Sequence, residues 1–242
     1  MSETPKRHIV AAYDQELDTL RRTITEMAGM VELQLEEAAR SLLERDPELA
    51  DEVIAADKKV DACEHDINDQ SVRILALRQP MANDLRLIFA AIKIAQNLER
   101  IGDYAKNVAK RGKILMNADP LAHVSGVRAL AARAREVVRL AVDSFVEGDA
   151  EKARQAWLMD ETVDALHSSL FEGTIGAIEA ASDPARPSVH LLFISKNLER
   201  VGDLATNMAE TVHFMVTGRE IEGERPKADL STGQALETSS RT

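Results

Sequence analysis

An eleven-residue stretch occurs twice in this chain. Asn97-Leu98-Glu99-Arg100-Ile101-Gly102-Asp103-Tyr104-Ala105-Lys106-Asn107 returns one hundred residues later as Asn197-Leu198-Glu199-Arg200-Val201-Gly202-Asp203-Leu204-Ala205-Thr206-Asn207. Both copies lie in stretches whose apolar residues recur every three or four positions, the period of an α-helix. Positions i, i+4 and i+8 share one stripe of a helix. Glu99, Asp103 and Asn107 therefore form a line of side-chain oxygens, and Glu199, Asp203 and Asn207 form another. A chain with this feature is expected to build one helical unit twice.

The flanking seams agree. From about Asp14 to Glu44 the apolar positions are Leu17, Leu20, Ile24, Met27, Val31, Leu35, Ala38 and Leu42, a narrow helical stripe. Residues 1–8 read as a frayed start. Asp46-Pro47 reads as an N-cap followed by an N1 proline. It opens a second helix with a seam of Val53, Ala56, Val60, Cys63, Ile67, Gln70 and Ile74. Pro80 closes that helix, and Asn83 or Asp84 is expected to cap the third, whose seam is Leu87, Ala91, Ile94, Leu98, Ile101, Ala105 and Val108. Pro120 marks a boundary, after which the pattern restarts. A fourth helix is expected from about Leu121 to Phe145. A fifth is capped by Asp149, with Ala156, Met159, Val163, Leu166 and Leu170 in its seam. A sixth begins between Pro184 and Pro187, with Leu191, Ile194, Leu198, Val201, Ala205, Met208 and Val212 in its seam.

The halves also match at an offset of 103: Glu44, Asp46 and Glu48 with Glu147, Asp149 and Glu151, then Asp57, Val60, Asp61 and Ala62 with Asp160, Val163, Asp164 and Ala165. The expected fold is all-α, two tandem, internally duplicated antiparallel three-helix bundles. The first repeat spans 10–118 and the second 119–217. The polar segment 218–242 lacks periodicity and is expected to be disordered.

Composition narrows the function. A net charge of −11 and the lack of a basic stripe with interleaved aromatics argue against nucleic-acid binding. One cysteine, Cys63, rules out an intrachain disulfide and suits a reducing compartment. The most apolar stretch, Leu85 to Leu98, contains Arg86, Lys93 and Gln96 and is too short and charged to span a bilayer. A cytoplasmic protein that meets membranes only indirectly is expected.

Acidic residues carry the chemistry. The first half offers Asp57, Asp61 and Glu64 on its second helix, with Glu99 and Asp103 on its third. The second half offers Asp160, Asp164 and His167, with Glu199 and Asp203. At about 100° per residue these groups point outward or sideways from the seams. Four like-charge pairs stand at i, i+4: Asp57/Asp61, Glu99/Asp103, Asp160/Asp164 and Glu199/Asp203. Each costs a few tenths of a kcal/mol in a bare helix. Two explanations stand: an ordinary solvated face, or cations on the patches. Oxygen ligands suit magnesium, calcium or manganese, and an imidazole such as His167 also admits iron or zinc. Gly102 and Gly202 read as sites of close helix packing, with room for an ion as the alternative. No phosphate-binding glycine loop is present, and Glu210-Thr211-Val212-His213 is a single Glu-x-x-His without the twin that a di-iron bundle needs.

Taken together, Gly29-Met30-Val31-Glu32, Arg78-Gln79-Pro80, Asp84-Leu85-Arg86-Leu87 and both Leu-Glu-Arg-(Ile/Val)-Gly-Asp motifs resemble the PhoU family of phosphate-transport regulators. The likeness runs from about Ala12 to Phe214. It implies two three-helix bundles carrying multinuclear metal clusters on their surfaces, with iron, manganese, zinc or magnesium as divalent or trivalent ions. The family's acidic motifs fall on Asp57 to Asp61, Glu99 to Asp103, Asp160 to Asp164 and Glu199 to Asp203. The second half lacks an equivalent of Asp84 and has His167 where the first has Glu64, so the two sites are expected to differ. The resemblance further implies a cytoplasmic homodimer that is not an enzyme. Its partners would be a sensor histidine kinase and the ATPase of a phosphate ABC transporter, which it restrains when phosphate is plentiful. A metal-dependent enzyme on a helical scaffold and a purely structural adaptor are the alternatives.

Overall fold

The computed structural model describes residues 4–223 and 225, with side chains from residue 12 onward. Seven helices follow one another: α1 (Thr4–Glu44), α2 (Pro47–Arg78), α3 (Asn83–Leu115), α4 (Gly126–Glu147), α5 (Ala150–Leu158), α6 (Asp160–Glu179) and α7 (Ala185–Thr217). No strand occurs among the described residues. Helices α1 to α3 form one bundle, and α4 with α5, α6 and α7 forms the second. The bundles pack against each other through α3 on α7 and α1 on α4, while α2 touches only α1 and α3. Arg139 bonds Glu32 at 2.7 and 2.9 Å across the α1–α4 seam, and Arg135 pairs with Glu36 beside it.

The seams hold as expected in α1, α3 and α7, where every seam residue is buried. In α2 the buried members are Val53, Val60, Ile67 and Ile74, one per heptad, while Ala56, Cys63 and Gln70 are half-buried. That narrower stripe fits a helix with only two neighbours. Asp46 caps α2 by accepting from the Leu49 N–H at 2.9 Å, and Asp149 caps α5 through Glu151 and Lys152 at 2.9 and 3.0 Å.

Four expectations need correction. The first helix begins at Thr4, well before Asp14. The fourth begins at Gly126, because residues 121–125 close as turns through Val124 N–H to Leu121 and Gly126 N–H to His123. Neither Asn83 nor Asp84 caps α3: both lie inside it, after Ala82 at φ 50°. Asp84 instead accepts from the Tyr13 hydroxyl at 3.0 Å, and Asn83 from Arg86. Finally, the expected fifth helix is two helices, α5 and α6, separated at Met159. The Thr162 hydroxyl donates to the Met159 carbonyl at 2.6 Å, and the Met159 N–H turns to Ala156. A threonine competing for backbone groups disfavours continuous α-helix there.

Of the segment expected to be disordered, residues 218–223 and 225 carry no regular secondary structure, and the remainder lies outside the described residues. No described helix is long and apolar enough to cross a membrane.

Candidate cation-binding sites

Each repeat places its acids where the broken or continuous second helix faces the motif helix. In the first bundle, Asp57 on α2 and Asp103 on α3 face the same ammonium: Lys106 Nζ donates to Asp57 Oδ2 and to Asp103 Oδ1, each at 2.5 Å. Burial works against the charge on Lys106, yet the bonds and charges of Asp103 and Asp57 prevail and its pKa rises. Glu99 lies one turn before Asp103. Burial, then the charges of Asp103 and Asp61, push its carboxyl above the ordinary range. Partial desolvation and Asp57 do the same to Asp61. Glu64 turns along its own helix and accepts from Asn68. This site is half-open: Asp57 is buried, Asp61 exposed, and Glu64, Glu99 and Asp103 lie between.

The second site is deeper, contrary to the outward-facing expectation. Asp160 is 1% exposed, Asp164 4%, His167 1% and Glu199 5%. Helices α6 and α7 approach closely enough that a Cβ at Gly202 would stand 2.9 Å from Val163 Cγ1; at Gly102 the equivalent gap to Val60 Cγ1 is 3.4 Å. The glycines thus permit close packing, and the tighter approach covers the acids. His167 Nδ1 is 2.7 Å from the Ser195 hydroxyl. The first repeat has Glu64 and Ala95 at these positions, so the His167–Ser195 pair belongs to the second site alone.

A guanidinium fills the place that Lys106 holds in the first site, where the second repeat has Thr206. Arg225 donates to Asp160 through Nε at 2.6 Å and Nη2 at 2.8 Å, and to Asp203 at 2.7 Å. Thr206 adds a bond to Asp160 at 3.2 Å. Lys196 donates to Glu199 Oε1 at 2.8 Å. Glu199 Oε2 is buried without a hydrogen-bond partner among the described residues. Burial raises the Glu199 pKa; the Lys196 bond opposes that rise, and Asp203 adds to it.

The two stripes are therefore only partly assembled. Asp57 with Asp103, and Asp160 with Asp203, converge across facing helices. Asn107 and Asn207 do not join them: among the described residues no hydrogen bond links either side chain to an acid, and Asn207 instead lines a groove of about 840 Å³ beside Arg86, Trp157, Glu210 and Arg225. Carboxylate oxygens are suitable donors for hard cations, and the orphaned Glu199 oxygen is an unmet acceptor. Among the described residues no three His, Cys, Asp or Glu side chains stand together as a ready ligand group. In each site two of the acids are gathered instead on the protein's own ammonium or guanidinium.

Three residues at these sites were missed from the sequence. Lys106 was legible as one of three points where the eleven-residue copies diverge, Lys against Thr, beside Ile101/Val201 and Tyr104/Leu204. Lys196 was not distinguishable from any surface lysine, and Arg225 sits in a segment without periodicity. Arg200 stands over the Tyr104 ring at 5.9 Å.

Comparison with known proteins gives the family of the chain. The PhoU domain model matches residues 24–112 and again 127–212. The phosphate-specific transport system accessory protein PhoU homolog of Caulobacter vibrioides is 38% identical over 224 residues, covering 92% of this chain and 97% of that protein. The homolog of the same description from Rhizobium meliloti is 39% identical over 226 residues, 93% of this chain and 95% of that one. The crystal structure of PhoU from Pseudomonas aeruginosa superposes with a TM-score of 0.81 at 33% identity, covering 86% of this chain and all of that one. The Streptococcus pneumoniae phosphate transport system regulatory protein PhoU shares the fold, with a TM-score of 0.80 at 24% identity and coverage of 87% and 99%. With the domain matched twice and relatives aligned nearly end to end, this chain belongs to the PhoU family.

Proposed function

We propose that the protein is a metal-binding regulator of phosphate homeostasis that restrains phosphate-starvation signalling and phosphate uptake. It acts without turning over a substrate, as a cytoplasmic homodimer, through a sensor histidine kinase and the ATPase of a phosphate ABC transporter. Relatives named as accessory proteins of phosphate-specific transport, aligned over more than nine-tenths of this chain, support the accessory role. The observation that carries the metal reading is the convergence of carboxylates from facing helices in both repeats, Asp57 with Asp103 and Asp160 with Asp203, around a single positive charge. Asp57, Asp61, Glu99 and Asp103 would hold an ion in the first site, with Glu64 at its edge. Asp160, Asp164, Glu199 and Asp203 would do so in the second, with His167 nearby. The ion would supply charge neutralisation and a fixed link between the two helices.

Two measurements test this. The first is a melting series of wild type and the Asp103→Asn/Asp203→Asn double variant, in chelator and with Mn, Fe(II), Zn or Mg. An ion at one hundred times its Kd stabilises wild type by about 2.7 kcal/mol, and the double variant loses that response. Equal responses in both proteins would reduce the acids to a solvated face. The second is a phosphate-starvation reporter in cells lacking the protein. Reporter output that stays low in phosphate-rich medium would reject the regulatory role.

A further inference from the structure

We propose that Arg225 straps the segment after α7 across the second acidic site and fills it in place of an external cation. Helix α7 ends at Thr217, with Gly218 in the left-handed conformation at φ 71°. The chain then turns back along the helix it has just left. His213 Nδ1 lies 3.0 Å from the Arg219 carbonyl, and the Arg219 N–H donates to the Thr217 hydroxyl at 3.1 Å. Ile221 follows, half-buried against the core. Arg225 then reaches Asp203, fourteen residues before the helix end, a distance of about 21 Å along the axis. Eight extended residues span at most about 27 Å, enough with the length of the arginine side chain to bring the guanidinium to the site.

The end of this strap is built rather than incidental. The guanidinium meets both oxygens of Asp160, a side chain only 2% exposed, and one oxygen of Asp203. A planar fork on a buried carboxylate is the pairing for which arginine, unlike lysine, is shaped. The contrast between repeats gives the arrangement its meaning. In the first site the neutralising charge is Lys106, on the same helix as Asp103 and unable to leave. In the second that position is Thr206, and the charge arrives on a segment that can withdraw as a unit. The second site is therefore opened by removing a strap, and the first only by swinging a side chain.

The competition with metal rests on the cation-binding reading of the acids; the strap itself does not. Two readouts on the full-length chain separate them. In chelator, the melting temperature is measured for wild type, Arg225→Gln, Asp160→Asn and the double variant, with Asp203→Asn replacing Asp160→Asn should the buried change prevent folding. Arg225→Gln is expected to lower the Tm by about 2–4 °C in wild type and by markedly less beside Asp160→Asn. Mn2+ binding is then titrated calorimetrically. A site closed nine-tenths of the time binds about tenfold more weakly than an open one, so Arg225→Gln should tighten one class of sites by roughly that factor. Unchanged melting without coupling to Asp160, or equal Mn2+ affinity in wild type and variant, would overturn the proposal. Coupling in chelator with no Mn2+ uptake by either protein keeps the strap and rejects the metal reading.

Discussion

Gly202 and Gly102 occupy the same place in the repeated motif, yet alanine should act oppositely at the two. Alanine in a helix interior is favoured over glycine by about 1 kcal/mol, and that gain is common to both. The cost differs with the neighbour. At Gly202 the new methyl would stand 2.9 Å from Val163 Cγ1 and 3.3 Å from its Cβ. A β-branched side chain on a facing helix cannot turn away, so the helices must separate, and overpacking of this kind costs about 1–3 kcal/mol. At Gly102 the closest atom is Gln34 Oε1 at 3.2 Å, with Val60 Cγ1 at 3.4 Å. That oxygen has no hydrogen-bond partner among the described residues, and the amide is tied only by a 3.5 Å bond from Nε2 to the Val53 carbonyl. It can shift by a few tenths of an ångström at little cost. Gly102→Ala should therefore be neutral to stabilising by up to about 1 kcal/mol. Gly202→Ala should be neutral to destabilising, by up to about 2 kcal/mol. The gap between the two is read by urea titration in chelator. Val163→Ala supplies the control: it should cost less stability beside Gly202→Ala than alone, because the added methyl occupies the vacated space. Equal stabilisation by both alanines, or strict additivity with Val163→Ala, would refute the packing account.

Other outcomes follow from the electrostatics and caps. Glu199 has its carboxyl pKa raised above 4.5 by burial, against the Lys196 bond and with Asp203. Its ionisation thus penalises the folded state above that range and not below it. Glu199→Gln should be more stable than wild type at pH 7 in chelator, with the advantage fading as the pH falls through the raised value toward 4.5. Lys106→Met strands the buried Asp57 and should cost about 1–3 kcal/mol, recovered in part by adding Asp57→Asn; equal stability of the single and double variants in a denaturant titration would count against the pair. Asp46→Ala removes the acceptor of the Leu49 N–H and should cost about 1 kcal/mol, visible as a lower thermal midpoint.

The bundles were legible because seams at three- and four-residue spacing report directly which face a helix buries, and Leu20, Ile24, Leu98 and Leu198 all obey it. The sites were legible only in outline. Spacing put Glu199 and Asp203 on one stripe, but Glu199 is buried while Asp203 stays partly exposed, because a neighbouring element covers only part of that stripe. Helix α6, drawn close by Gly202, supplies that cover with the strap. The break at Met159 was hidden because Ala156, Met159 and Val163 keep helical spacing across it; the Thr162 hydroxyl bond that marks it has no periodic signature. Arg225 was invisible for a related reason: a strap held by one side chain needs no repeating pattern.

The interruption between α5 and α6 sets the two duplicated sites at different electrical potentials. Asp57 lies in the middle of an unbroken helix, where the peptide dipoles before and after it cancel. Asp160 is the first residue of α6, where the positive end of a new macrodipole favours a negative charge by at most roughly 0.3–1 kcal/mol, reduced by the end of α5 two residues before it. Each acid already has an internal cation, Lys106 for Asp57 and Arg225 for Asp160, so the positive end of α6 alone leaves Asp160 less in need of an outside charge than its counterpart. If the acids bind cations as proposed, sites with such unequal demand would fill one after the other as cation concentration rises, the first bundle ahead of the second. Two such thresholds would let the protein respond across a wider range of concentrations than two identical sites.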